Sequence, residues 1–81
     1  MTPGEYLRFV RLGRGLSFRE LAKRSRLDAG TLCDVEKGRK TLLVSSWKRV
    51  AKVIGPQFDM RCVVCNHCNQ ALRPEDPDVR R

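Results

Sequence analysis

Near the C-terminal end of the chain, three cysteines and the chain's single histidine lie within seven residues. Cys62, Cys65 and Cys68 are spaced three apart, and His67 directly precedes the last of them. Thiolate sulfur and imidazole nitrogen are usual ligands of zinc, which takes four ligands, commonly as two well-separated pairs. The chain offers no second pair, so a fourth ligand would come from His67, a water molecule or another subunit. Two interpretations stay open: a zinc or redox-sensing site, or cysteines that behave as small apolar core residues.

The second chemical signal is positive charge, which is concentrated in the first 56 residues. Residues 1–56 carry thirteen Lys and Arg against five Asp and Glu, whereas residues 57–81 carry four of each, for a net charge of +8. Such an excess attracts polyanions and gives a salt-sensitive affinity through the release of counterions. Nucleic acid is therefore the expected partner. The alternative is that the basic residues only keep a small domain in solution.

Two short helices within residues 17–38 would have to position these charges. Ser17 with Glu20 three residues later has the pattern of a capping box, which starts a helix at Ser17 or at the next residue. Asp28 is a strong N-cap for a second helix, predicted from about Ala29 to Lys37. A tight turn joins the two helices, and a helix-turn-helix motif requires that arrangement.

Two further helices are predicted on either side of this motif. The segment Thr2 to Glu5 has the pattern of a capped helix start, with proline at the first helical position. Apolar residues at helical spacing predict a fourth helix from Val44 to Ile54, which stops at Gly55-Pro56. Trp47 in that helix is interpreted as a core residue rather than as an exposed anchor for a partner.

After Pro56 the pattern changes to alternation of apolar and polar residues from Phe58 to Cys62, followed by two valines. Alternation predicts a short strand, and because one strand is not stable alone, it is expected to pair with its copy in a second subunit. A fifth helix is the alternative, and it would stack the three cysteines on one side. The predicted organisation is a helical domain over 1–56, a cysteine-containing segment for dimerisation or metal binding over 57–72, and a flexible polar tail over 73–81.

Between positions 7 and 55 the apolar, capping and small residues follow the pattern of a known family. The matching residues are Leu7, Val10, Arg11, Arg14–Ser17, Glu20–Ala22, Ser25, Leu27, Thr31, Leu32, Val35, Glu36, Gly38, Val50–Lys52, Ile54 and Gly55. On these residues the chain resembles the Cro-and-repressor helix-turn-helix family of phage and bacterial regulators, often called XRE-like. The resemblance implies an all-α fold: a four- or five-helix lambda-repressor-like domain, here with a short C-terminal strand or helix for dimerisation. Two positions depart from the family, Phe18, where glutamine is common, and Arg26, where glycine is common.

The resemblance also implies how such a domain meets double-stranded DNA, with the start of the third helix in the major groove and the second helix across the backbone. Phosphates would be contacted by hydroxyl and basic side chains, which are Ser17, Arg19, Arg26, Lys37, Arg39 and Lys40. Base edges are left to Asp28, Ala29, Gly30, Cys33 and Asp34. Among these, Asp34 can accept from a cytosine amino group and Ala29 can touch a thymine methyl. Thr31 is a further candidate for a phosphate contact, although its hydroxyl could instead be buried or capping.

These inferences combine into one expected function with two alternatives. The expected function is a sequence-specific DNA-binding transcriptional regulator, a repressor that acts as a cytoplasmic homodimer. The alternatives are a helix-turn-helix scaffold that docks on another protein, and a regulator controlled by metal or thiol state, with zinc at the cysteine cluster. No stretch is long and apolar enough for a membrane span, and catalytic groups are confined to that cluster, so neither membrane association nor enzyme activity is expected.

Overall fold

The chain forms four α-helices and a short irregular segment in the computed structural model, which describes residues 2–65 and 67–72. The helices are α1 (Pro3–Gly13), α2 (Phe18–Ser25), α3 (Ala29–Glu36) and α4 (Val44–Ile54). One 3₁₀ turn, Met60–Cys62, follows α4, and an isolated antiparallel bridge joins Val64 to Ala71. The all-α prediction is therefore confirmed, and so are the predicted starts of the four helices.

Side-chain caps fix where the first two helices begin. The Thr2 hydroxyl accepts from the Glu5 amide at 3.2 Å, and the Glu5 carboxylate accepts from the Thr2 amide at 2.8 Å, which completes the predicted capping box. Hydrogen bonds to the Glu5 carboxyl, first from the Thr2 amide and then from the Thr2 side chain, hold the pKa of Glu5 below its usual value. At α2 the Ser17 hydroxyl accepts from the Glu20 amide at 3.1 Å, while the Glu20 carboxylate lies 3.3 Å from Arg24. Local sequence therefore determines both helix starts.

The apolar faces of the four helices meet in one core. Its fully enclosed side chains include Leu7, Leu21, Leu32, Val35, Trp47, Val50 and Ile54. α2 packs against both α3 and α4, and α1 packs against α3. The enclosure of Trp47 confirms its interpretation as a core residue. Burial of each large apolar side chain contributes roughly 1.5–3 kcal/mol, so this core fixes the helices relative to one another.

α1 and α3 approach each other closely at one point. Gly4 lies in the first turn of α1, and a Cβ atom there would collide with the carbonyl oxygen of Val35, near the end of α3. Protein interiors are close-packed, so an added methyl group at such a contact would force the backbones apart. The absence of a side chain at position 4 therefore sets the distance between these two helices.

A buried ion pair joins the same two helices at a second point. Arg11 Nε donates to Glu36 Oε2 at 2.7 Å and Nη2 donates to Oε1 at 3.3 Å, with both side chains less than a tenth exposed. Arg11 Nη1 donates to the carbonyl oxygen of Leu16 at 2.7 Å, and the guanidinium lies 4.2 Å from the centre of the Phe18 ring. Arg11 therefore connects α1, the loop after it, the start of α2 and the end of α3.

The structure of the segment after α4 contradicts both predictions made for it, a strand and a fifth helix. Residues 58–64 contain one 3₁₀ turn, so the predicted strand is wrong, and so is the alternative of a fifth helix. The reason is that the chain folds back over the core instead of presenting alternate faces. As a result, Phe58 and Cys62 of the alternating pattern are buried, and so are the consecutive residues Val63 and Val64.

The pairing partner of this segment lies in the same chain. Val64 forms its bridge with Ala71, and the Leu72 amide donates to the carbonyl oxygen of Val63 at 2.8 Å. A pairing segment this short leaves no strand pattern in the sequence, which is why sequence analysis found no second strand. Pairing of a strand over residues 58–62 with a second copy loses its basis, because no strand forms there. A role of residues 57–72 in dimerisation stays a prediction.

Aromatic contacts attach this segment to α1 and α4. The Phe58 ring lies 5.2 Å from the Tyr6 ring and 6.1 Å from the Trp47 ring, measured between ring centres. The Tyr6 hydroxyl accepts from the Asp59 amide at 2.6 Å and donates to the carbonyl oxygen of Gln57 at 3.4 Å. Burial raises the pKa of Tyr6. Residues 57–59 are thus part of the same structural unit as the helices.

Within residues 2–65 and 67–72, no helix has both the length and the apolar character that a membrane crossing requires. The predicted flexible tail, residues 73–81, lies outside the described residues.

Arg11→Met should lower the free energy of unfolding by about 3–5 kcal/mol, because it leaves the Glu36 carboxylate buried without its partner. Urea unfolding followed by the fluorescence of Trp47, the chain's one tryptophan, measures the loss. The control is Arg11→Met with Glu36→Leu, which removes both charges and should be more stable than the single variant. A single variant that unfolds at the wild-type urea concentration would contradict the structural role of the pair.

The phenol of Tyr6 should ionise above pH 10 in the folded protein, because burial raises its pKa from a usual value of 10.0. The unfolded chain then loses the phenolic proton more easily, so this contribution to stability is complete below about pH 10 and is lost as the pH rises above it. Tyr6 is the chain's one tyrosine, so phenolate absorbance reports this group alone. Ionisation at or below pH 10 in the folded protein would show that the phenol is not buried.

Candidate nucleic-acid interface

The turn between α2 and α3 depends on the backbone of Arg26. This residue follows α2 with φ 59° and ψ 38°, the left-handed region in which glycine is favoured. The amides of Arg26 and Leu27 both donate to the carbonyl oxygen of Ala22. Leu27 packs half-buried against the core, and Ala22 is buried. The two helices therefore pack closely, with Leu27 filling the turn between them.

The start of α3 is organised around the carboxylate of Asp28. Asp28 Oδ2 accepts from the Thr31 amide at 3.1 Å, which confirms the predicted N-cap. A Cβ atom at Gly30 would lie 2.9 Å from that same oxygen, so the glycine leaves room for the cap. Asp28 is therefore committed to holding the helix start. Gly30 is exposed and presents backbone rather than a side chain.

The remaining base-reading candidates lie on the accessible side of α3 but are only partly exposed. Ala29, Cys33 and Asp34 are all half-buried, and so is Thr31, a candidate for a phosphate contact. Cys33 lines an open concavity of about 300 Å³, whose other walls are Arg8, Arg11, Leu12, Phe18, Glu36 and Lys37. Since Phe18 packs on the Arg11 guanidinium there, the aromatic ring at this position has a packing role.

Asp34 is engaged by the basic loop that follows α3. Its carboxylate oxygens lie 3.9 Å from the Arg39 guanidinium and 3.8 Å from the Lys40 ammonium. Both cations are more than half exposed. Exposed pairs of this kind contribute little to stability and exchange readily with other partners. Arg39 and Lys40 are therefore held near the exposed side of α3 and remain available to an incoming anion.

The predicted phosphate contacts form two exposed groups. Ser17, Arg19 and Arg26 lie along α2 and in the turn after it, whereas Lys37, Arg39 and Lys40 come directly after α3. Each group presents guanidinium or ammonium donors, and such donors bind phosphate through charge-assisted hydrogen bonds. The short helix α3 therefore has cationic side chains before its start and after its end.

The structure does not bring the predicted zinc ligands together. Cys62 is buried, Cys65 is half-buried, and both His67 and Cys68 are exposed. Among residues 2–65 and 67–72, no three His, Cys, Asp or Glu side chains are placed to hold a metal ion. Three thiolates and an imidazole are a usual zinc donor set, but as placed in this structure they form no tetrahedral site. Zinc binding stays a prediction from the sequence.

The α2–turn–α3 unit on a four-helix core defines an all-α helix-turn-helix domain. The chain is similar to the crystal structure of the clp gene regulator ClgR from Corynebacterium glutamicum, with a TM-score of 0.63 and 36% sequence identity. The match covers 65% of this chain and 56% of that chain, so this chain spans little more than half the length of that structure. No family model matches the chain, and no curated protein matches it.

Part of the basic surface lies outside the residues that the sequence predicted. Arg24 at the end of α2 lines one concavity together with Arg26 and with Arg49 and Lys52 of α4. These residues are distant in sequence, and the packing of α2 against α4 brings them together. A pattern confined to one helix could not have indicated this group.

Arg26→Gly should raise the free energy of unfolding by about 1 kcal/mol, because glycine adopts the left-handed conformation without steric strain. The same replacement at Arg24, inside α2, should lower it by about 1 kcal/mol, because glycine disfavours a helix interior. Thermal unfolding of the two variants measures these opposite effects. An Arg26→Gly variant less stable than wild type would contradict the left-handed turn.

Proposed function

We propose that this protein is a DNA-binding transcriptional regulator in which the start of α3 enters the major groove. The observation that carries the proposal is the setting of α3, an accessible helix capped by Asp28 and preceded and followed by exposed cations. The likeness to a structure described as a clp gene regulator supports the same class. Such a regulator would act in the cytoplasm.

Affinity in this proposal comes chiefly from the phosphate contacts. Each neutralised phosphate releases counterions, so the logarithm of the binding constant falls with the logarithm of salt concentration by about 0.9 per contact. Five of the six exposed candidates for phosphate contacts are cations, and the sixth is the Ser17 hydroxyl. Five such contacts give a slope of about −4.5. These contacts set the register of the domain on the duplex and carry no sequence information themselves.

Base reading would rest on a small set of groups on α3. The Ala29 methyl can contact a thymine methyl, and the Asp34 carboxylate can accept from a cytosine amino group once Arg39 and Lys40 move to phosphates. Asp28 is committed to its cap, and Gly30 has no side chain. With so few direct contacts, sequence-dependent DNA shape would contribute much of the specificity.

We further propose that the regulator is a homodimeric repressor of the Cro-and-repressor type. α3 has eight residues and reads few base pairs, so two copies on adjacent major grooves would double the sequence that is read. A dimer bound across a promoter would exclude polymerase. Residues 58–62 form no strand that could pair with a second copy, so contacts between copies would use side chains of this segment or other surfaces.

A protein-binding scaffold is the second candidate function, and exposed apolar side chains on α1 favour it. Phe9 is 66% exposed and Leu12 is 55% exposed, one helical turn apart. Leu12 also lines the concavity that contains Arg8 and Lys37. A partner that suits this surface would insert apolar side chains and place acidic residues against the two cations. Control by metal or thiol state stays a prediction from the cysteine cluster.

Selection of a random duplex library by the purified protein at about 0.15 M salt tests the proposal, since non-specific binding weakens at that concentration. We expect an enriched palindrome. On the enriched duplex, Arg39→Ala should lower the salt slope by about 1, because one phosphate contact is lost.

Arg61→Ala is the matched control, because Arg61 is an exposed arginine that pairs with Asp59 in the C-terminal segment. It should leave the slope unchanged. If the folded protein enriches no sequence, this result would contradict sequence-specific DNA binding and favour a protein partner. If Arg39→Ala and Arg61→Ala have equal salt slopes, Arg39 does not contact a phosphate.

A further inference from the structure

We infer that a groove between α2 and α4 is a second site for the phosphodiester backbone of DNA, separate from α3 and the loop after it. The basic groove is an open concavity of about 520 Å³, lined by Arg24, Ser25, Arg26, Arg49, Lys52 and Val53. This inference rests on the proposed function, because it adds a contact to DNA that α3 already holds.

The rim of the basic groove is cationic, and its two other lining side chains, Ser25 and Val53, offer no free donor to an anion. Ser25 is almost fully buried, and its hydroxyl donates to the carbonyl oxygen of Leu21 at 2.6 Å. Val53 is half-buried and apolar. Ligand binding would therefore depend on the four rim cations, three of them arginines, whose planar guanidinium matches two phosphate oxygens at once.

In the part of the chain that the structure describes, no acidic side chain lines the basic groove. Arg24 lies 3.3 Å from Glu20, but both side chains are more than half exposed, so the pair is weak. Arg49 donates to the Ser46 hydroxyl at 3.3 Å, a neutral partner that orients the guanidinium and leaves its charge. Four like charges around one concavity repel each other, and a bound anion removes that repulsion.

The basic groove is continuous with the exposed surface of α2. A second open concavity, of about 560 Å³, is lined by Arg19, Glu20, Lys23 and Arg24. The two concavities share Arg24, so together their described lining residues form a band of six cations with one carboxylate. Each strand of a B-DNA duplex carries a phosphate about every 3.4 Å along the helix axis, and an extended band suits such a ligand better than a single small anion does.

The position of the basic groove separates it from the reading surface. α2 packs against α3 and also against α4, and the groove lies where α2 meets α4. With α3 in the major groove, Arg49 and Lys52 would meet backbone beyond the phosphates that Lys37, Arg39 and Lys40 contact. The bound DNA would then follow the protein surface over a longer stretch than α3 alone requires.

The test compares salt slopes on one duplex for two double variants of the full chain. Arg49→Gln with Lys52→Gln removes two groove cations, and Arg61→Gln with Lys48→Gln removes the same charge from exposed positions outside the groove. We expect the groove variant to lower the slope by about 1.8, two contacts at about 0.9 each, and the control to leave it unchanged. Unfolding by urea checks that both variants are folded. If the groove double variant is not folded, Lys52→Gln alone replaces it, with an expected decrease in salt slope of about 0.9.

Different failures have different meanings. Wild-type protein that binds no duplex even at low salt would overturn both the proposed function and this inference. A wild-type slope that falls in Arg39→Ala but not in the groove variant would overturn the inference alone. A groove variant that loses stability with an unchanged slope would also overturn the inference, because it would leave these cations with a structural role only.

Discussion

The pair of Arg11 and Glu36 is the interaction on which the placement of α3 depends. It is buried, and two buried charges lose most of their hydration, so the pair adds little net stability relative to apolar residues of the same size. Its effect is geometric. A guanidinium that must satisfy Glu36, the Leu16 carbonyl oxygen and the Phe18 ring at once permits one arrangement of these three elements. Together with the close contact at Gly4, it fixes the helix proposed to read DNA against the rigid part of the fold.

The turn at Arg26 combines strain with charge. A left-handed conformation costs a non-glycine residue about 1–2 kcal/mol, and this chain places a cation there. The strain is balanced by the core around Leu27 and Ala22, which holds the turn closed. In the proposed function the arginine gains a phosphate contact that glycine could not make. Arg26 is also one of the rim cations of the basic groove, so the same side chain would contribute to phosphate binding there.

The C-terminal segment supports the basic loop as well as the core. Phe58 packs on Tyr6, and the chain then returns through the bridge to residue 72. There the Thr41 hydroxyl donates to the carbonyl oxygen of Leu72 at 2.8 Å. Thr41 directly follows Lys40, so the C-terminal segment also steadies the loop that carries candidate phosphate contacts. Loops positioned in this way on a rigid scaffold commonly carry binding residues.

What the sequence by itself determined is local. Capping residues such as Thr2, Ser17 and Asp28 act within one helical turn, so helix starts follow from neighbours in the chain. Apolar spacing predicted the core side of α4, and the charge distribution indicated a polyanionic partner. The alternation of apolar and polar residues wrongly predicted a strand within residues 58–64, because contact with distant aromatic rings decides which side chains are buried there.

What only the tertiary structure decided involves residues far apart in the chain. The salt bridge between α1 and α3, the bridge of Val64 with Ala71, and the meeting of Arg26 with Arg49 all require helices to be packed first. The same holds for the cysteines, which are regularly spaced in sequence but differ in burial once the chain folds back. Helix periodicity and capping are short-range effects, whereas convergence of charges depends on the packing of whole elements, which no local pattern encodes.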